Sequence, residues 1–94
     1  MIINKTADGN KMTIALEGRL DTSTAPELQE LVAGLEGVTD LTFDLEKLMY
    51  ISSAGLRVLM IAKKGIKEVN IINVNEDIKE IFDITGFSTI FNIQ

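Results

Sequence analysis

The sequence predicts a small α/β fold: a mixed, mostly parallel β-sheet in the order ββαβαβαβ, with helices mainly on one face. Three observations carry this. Two short apolar segments at the N-terminus flank the turn-forming run Asp8-Gly9-Asn10. Along the rest of the chain the apolar period switches between about two, as in strands, and about 3.6, as in helices. The strand-like segments also alternate cleanly, which marks a sheet covered on one face rather than both. Strands separated by helices pair in parallel through right-handed crossovers, and the initial hairpin adds an antiparallel edge.

Residues 2–6 and 11–17 read as the hairpin strands. In the second, Met12, Ile14 and Leu16 alternate with Thr13, Ala15 and Glu17. Gly18-Arg19-Leu20-Asp21 leaves that strand. Thr24 and Glu27 have the spacing of a capping box, with Pro26 tolerated in the first turn. Leu28, Leu31, Val32 and Leu35 fall on one helical face, and Gly34 or Gly37 marks the exit. Leu41, Phe43 and Leu45 alternate with Thr42 and Asp44 as a third strand. After Leu48-Met49-Tyr50-Ile51 come Ser52 and Ser53, then a helix to about Lys64. Leu56, Leu59 and Met60 are its expected core residues, and Gly65 its C-terminal cap. Lys63 and Lys64 complement the negative end of its dipole. Val69 to Val74 reads as the fourth strand. Asn75 caps a third helix, which buries Ile78, Ile81 and Phe82 and ends at Gly86. Thr89 to Ile93 is expected as a short last strand.

The 94 residues are enough for one domain, expected to span 1–94, and the 46% apolar content allows one modest core. A net charge of −5 speaks against nucleic-acid binding and against anionic membrane surfaces. No segment reads as a signal peptide, and no apolar run approaches the roughly 18 residues of a membrane span. The expectation is a complete, free-standing soluble protein. The absence of cysteine removes disulfides and thiolate metal sites, and fits a reducing cytoplasm.

Histidine is absent too. That removes Ser-His-Asp and Cys-His catalysis and histidine metal sites together. The carboxylates are scattered through surface-type positions, so nothing points to a catalytic pair. The Gly-Lys-Ser/Thr loop of nucleotide-binding proteins is missing. The expectation is a protein that is not an enzyme and carries no cofactor or metal.

Two polar clusters stand where a strand gives way to a helix, Asp21-Thr22-Ser23-Thr24 and Ser52-Ser53, and both belong near the same sheet edge. The plain reading of each is helix capping, worth about 0.5–2 kcal/mol per cap. The functional reading is that a serine at a helix N-terminus, where N–H groups are free and the dipole favours anions, receives a phosphate. Arg57 lies one helical turn beyond Ser53. It is either a partner for such a phosphate or an ordinary solvated arginine.

Gly18-Arg19-Leu20-Asp21, the run Leu45 to Ile51, Ser52-Ser53-Ala54-Gly55-Leu56 and Ile81-Phe82-Asp83-Ile84-Thr85-Gly86-Phe87 together resemble STAS domains of the anti-sigma factor antagonist family. The resemblance covers nearly the whole chain. In that family the turn usually reads Asp-Ser-Ser/Thr/Ala-Gly-Leu, and the first serine after the aspartate is phosphorylated. The match implies Ser53 as phosphoacceptor, with Ser52 as the alternative because it stands where the family has aspartate. That change removes a negative charge and adds a second hydroxyl.

The resemblance implies a partner switch. The unmodified protein binds an anti-sigma factor that is a serine kinase, and a sigma factor is released. Phosphorylation ends the complex, and a serine/threonine phosphatase restores it. ATP and magnesium belong to those enzymes. Asp21, Thr22, Ser23, Ser52, Ser53 and Arg57 are the expected partner-binding residues, Asp21 by its match to the family's strand-exit aspartate. Two other functions stay open. One is a STAS subunit of a transport or sensory assembly in which the serine only caps. The other, with least support, is a small-ligand binder or enzyme using the anion-friendly helix end.

Overall fold

The computed structural model describes residues 1–93 and contains the expected mixed sheet. Strands β1 (Ile2–Asp8) and β2 (Lys11–Leu20) form the antiparallel hairpin. Helix α1 (Ala25–Ala33), β3 (Asp40–Ile51), α2 (Ser53–Gly65), β4 (Glu68–Ile72), α3 (Glu76–Thr85) and β5 (Asn92–Ile93) follow. The sheet order is β1-β2-β3-β4-β5, and every pairing after the hairpin is parallel.

One face of the sheet is buried. Ile14, Leu16, Leu41, Phe43, Leu45, Val69 and Ile71 meet Leu28 and Val32 of α1, Leu59 and Ala62 of α2, and Ile78 and Phe82 of α3 in one core. The opposite face carries Thr13, Ala15, Thr42, Asp44, Asn70 and Ile72, none of them buried. Three helices can cover only one side when consecutive right-handed crossovers all step the same way across the sheet.

Several boundaries differ from the sequence reading, each for a local reason. Strand β2 runs on through Gly18, Arg19 and Leu20, with Gly18 at φ 101 where the β2–β3 register shifts. Segments 40–45 and 48–51 are one strand, β3. It carries two extra residues relative to β2: Ala15 and Glu17 pair with Asp44 and Lys47, and Gly18 and Arg19 pair with Leu48 and Tyr50. Such bulges break the two-residue period. Burial therefore skips from Leu45 to Leu48 to Ile51.

In α2 the core stripe is Gly55, Val58, Leu59 and Ala62, with Leu56 buried at its flank, and Met60 is only half-buried. The stripe is displaced from the expected one because Gly55 lets the helix approach Leu20 and Ile51 closely. Gly65 does not cap α2 but is its last residue, and Ile66 leaves in an extended conformation. Helix α1 ends with Gly34 as cap, while Gly37 supplies a left-handed turn at φ 71. Strand β4 stops at Ile72, before Asn73 turns left-handed at φ 57. Asn75 caps α3 as expected: its Oδ1 accepts from the Ile78 N–H at 2.9 Å, and its Nδ2 donates to the Leu48 carbonyl at 2.8 Å. Gly86 ends α3 at φ 80, and Ile81 is half-buried.

The expected strand from Thr89 is shorter. A 3-10 turn spans Phe87–Thr89, and only Asn92–Ile93 pair with β4. Phe87 and Phe91 are four residues apart, and their rings stack at 5.7 Å, with Phe82 against Phe87 at 6.4 Å. Helical spacing of large aromatics prevails here over strand propensity.

Candidate functional site

The carboxyl ends of β2 and β3 lie side by side and deliver both polar clusters to one edge. The Ser52 N–H donates to the Leu20 carbonyl at 2.9 Å, which ties the start of α2 to the end of β2. Gly55 presses against the same leucine. A Cβ built there would stand 2.7 Å from Leu20 Cγ and 2.9 Å from Ile51 Cγ1.

The two serines divide their duties. Ser52 is the N-cap, with extended backbone, and its side chain accepts from the Gly55 N–H at a long 3.4 Å. Its carbonyl takes the first intrahelical bond, from Leu56 N–H at 2.9 Å. Ser53 is the first residue of the helix and is exposed. Its hydroxyl is free of the capping duty. Helix geometry leaves the Ser53 and Ala54 N–H groups without intrahelical acceptors. The first turn of α2 carries no acidic residue, so nothing on that turn opposes an added negative charge.

Ser53, Ala54 and Arg57 line one side of an open depression, and Thr22, Ala25, Pro26 and Gln29 of α1 and its leading turn line the other. Thr22, Ser53 and Arg57, named from sequence, are thus brought together. Arg57 is exposed.

Asp21 and Ser23 serve the turn itself. Asp21 Oδ1 accepts from the Ser23 N–H at 3.0 Å, the Ser23 hydroxyl at 2.7 Å and the Thr24 N–H at 3.2 Å. The expected capping box of Thr24 and Glu27 does not form, because the Thr24 hydroxyl accepts from Asp21 N–H at 2.8 Å and donates to the Arg19 carbonyl at 2.8 Å. Asp21 is the residue that orders this turn. Its carboxyl is held below the usual range, chiefly by the Ser23 hydroxyl, against partial desolvation and with help from the Ser23 and Thr24 N–H groups and the Thr24 hydroxyl. A carboxyl lowered in this way favours the folded state above its ordinary pKa, and the benefit fades as pH falls through the lowered value. Asp21→Asn is therefore expected to lower the melting temperature at neutral pH. The gap to the parent chain should close below about pH 4 in a pH series of thermal melts.

Other residues at this edge are apparent only in three dimensions. Arg19 lies 4.4 Å over the Tyr50 ring and pairs with Asp21 Oδ2 at 3.8 Å. Met49 is 75% exposed beside them. The break in strand alternation after Leu45 was the one signal in the sequence that marked Met49 and Tyr50.

Among the described residues no cluster of acidic side chains is placed to hold a metal ion, and no helix is long and apolar enough to cross a membrane.

Comparison with known proteins matches the STAS domain model over residues 2–94. A Bordetella bronchiseptica protein, BtrV, named as a candidate anti-sigma factor antagonist, is 34% identical over 84 residues, covering 83% of this chain and 72% of that protein. The anti-sigma-B factor antagonist of Staphylococcus aureus is 29% identical, covering 98% of this chain and 91% of that protein. Among solved structures, an anti-sigma factor antagonist from Mycobacterium paratuberculosis superposes with a TM-score of 0.87 at 16% identity, covering 98% of this chain and 83% of that one. At that identity the likeness speaks for the fold.

Proposed function

The chain belongs to the STAS domain family, and from that premise we propose that it is a phosphorylation-switched anti-sigma factor antagonist. Unmodified, it binds an anti-sigma factor that is also a serine kinase, through the edge formed by Asp21, Thr22, Ser23, Ser52, Ser53 and Arg57. The sigma factor is thereby released. The kinase transfers a phosphate to Ser53, the complex ends, and a serine/threonine phosphatase resets the protein. Sequence relatives named as anti-sigma factor antagonists support this reading.

The observation that carries it is the division of labour between the two serines. Ser52 holds the cap, so the exposed Ser53 hydroxyl is available without undoing the helix start. A phosphate adds about −1.5 to −2 charges at pH 7. At the N-terminus of α2 that charge gains about 0.3–1 kcal/mol from the dipole. Arg57, on the same depression, supplies a cation one turn along. Buried against a partner without a matching cation, the same charge costs several kcal/mol. The interface penalty is the larger, so binding switches while the fold persists.

The test is to incubate the protein with the anti-sigma kinases encoded beside it or elsewhere in its genome, supply ATP and map the phosphate by mass spectrometry. Phosphate is expected on Ser53 in the parent chain and in Ser52→Ala, and none on Ser53→Ala. Phosphate on Ser52 alone would reassign the acceptor. No phosphate with any kinase would overturn the switch.

A further inference from the structure

We propose that Met49, with Tyr50 beneath the Arg19 guanidinium, is the apolar anchor by which this chain docks on its serine kinase, seating in an apolar cleft rimmed by carboxylates. The proposal rests on the phospho-switch reading of Ser53 and adds a surface that reading does not contain.

The bulge is the starting point. Between the pairs Gly18–Leu48 and Arg19–Tyr50, strand β3 carries Met49 as an extra residue. An extra residue is left out of the ladder, and bulges re-aim side chains next to functional sites. Here two consecutive large apolar residues reach solvent, Met49 at 75% and Tyr50 at 37% exposure, although Leu48 and Ile51 on either side are buried. Methionine suits such a role because its flexible, polarisable side chain adapts to an irregular cleft.

Tyr50 and Arg19 are already arranged. The guanidinium stacks on the ring at 4.4 Å and is held by Asp21 at 3.8 Å. Asp21 is in turn fixed by Ser23 and Thr24. The cation and the aromatic thus stand at the ends of β2 and β3, just before the turn and the helix start that border the Ser53 depression.

Distance and charge select the occupant. Met49 and Ser53 are four positions apart in the chain, a reach of at most about 14 Å. A standard interface of about 800 Å² per partner covers both. A kinase interface centred on Ser53 is wide enough to take in Met49 as well. Arg19 and Arg57 are the cations of this edge, and the first turns of α1 and α3 add Glu27, Glu76 and Asp77 to Asp21 there. A carboxylate on the rim of the cleft is placed to pair with Arg19, which stacks on Tyr50 next to Met49, before phosphorylation. A phosphate of about −2 on Ser53 adds to the negative charge of this edge and repels the same rim.

The experiment uses the kinase that phosphorylates Ser53 in the mapping described above. Its affinity for the parent chain, Met49→Ser, Arg19→Gln and Ile84→Ser is measured by calorimetry at low and high salt. Ile84, on α3, is 77% exposed and serves as the apolar control. Met49→Ser is expected to weaken binding about 10- to 100-fold with an unchanged melting temperature, and Ile84→Ser less than about two-fold. Arg19→Gln should reduce the salt dependence of binding. If Met49→Ser binds as the parent does, or both apolar variants lose equally, the anchor is overturned while phosphorylation of Ser53 still stands. If Met49→Ser instead alters the sedimentation of the chain alone, the surface serves self-association and the proposal fails. If no kinase phosphorylates Ser53, the switch reading fails and the anchor with it.

Discussion

Phosphorylation of Ser53 is expected to weaken binding to the anti-sigma kinase by about 100- to 1000-fold, the equivalent of about 3–4 kcal/mol. Ser53→Asp carries about half the charge of the phosphate and is expected to lose at least about 10-fold. Both forms should keep their melting temperature or gain slightly, because an anion at the first residue of α2 meets free N–H groups and the positive end of the dipole. Calorimetry with the kinase and thermal unfolding of the free chain measure the two halves of this claim. A Ser53→Asp chain that binds as tightly as the parent would remove the charge mechanism. The neighbouring substitution separates capping from switching. Ser52→Ala loses a cap, at a cost of about 0.5–2 kcal/mol, but leaves the Ser53 hydroxyl in place. It should lower stability while leaving the phosphate dependence of binding intact.

Gly55→Val is expected to destabilise the fold by about 3 kcal/mol or more, near the upper end of overpacking costs. The first added carbon already falls 2.7 Å from Leu20 Cγ and 2.9 Å from Ile51 Cγ1. Leu20 is 0% exposed and Ile51 2%, so neither can turn out of the way. Gly55→Ala sets the same clash against the gain of about 1 kcal/mol that alanine brings to a helix interior, and the clash should still prevail. Gly65 provides the contrast within the same helix. Nothing lies within 4 Å of a Cβ there, and its φ is not left-handed. Gly65→Ala should stabilise by about 0.5–1 kcal/mol. Denaturant unfolding of the three variants decides it. Equal effects at the two glycines would show that helix propensity, and not close packing on β2, governs α2. Because Leu20 immediately precedes Asp21 and Ile51 immediately precedes Ser52, a displaced α2 should also disturb both halves of the site.

How far each element was legible depended on whether its signal was local. Ile14 and Leu16, Leu41 and Phe43, and Leu28 and Val32 announced their buried faces because their neighbours in sequence alternate with them at strand or helix spacing. Asn75 and Gly86 announced the ends of α3 because capping is settled within one turn. Met60 misled because the stripe of α2 is set by what Gly55 touches on β2, residues far away along the chain. Thr24 misled because its hydroxyl has a better use between Arg19 and Asp21 than at the end of α1. The bulges of β3 were visible only as a broken period, with nothing to say which residue was extra. That Ser53, Arg57 and Thr22 share one depression depends on the packing of α1 beside α2.

By itself the sequence determined the class of fold, the order of its elements, the absence of histidine and cysteine and the two polar turns where strands give way to helices. Those follow from residue type and short-range periodicity, which are properties of neighbours in the chain. The tertiary structure decided which serine does what. Ser52 caps because its N–H is drawn onto the Leu20 carbonyl and Gly55 is pressed against Leu20, contacts across some 30 residues of chain that set where α2 begins. Ser53 is left exposed as a consequence. The same pairing of β2 with β3 pushes Met49 out of register and lays Arg19 across Tyr50. Register between strands is a long-range quantity, and only the folded chain expresses it.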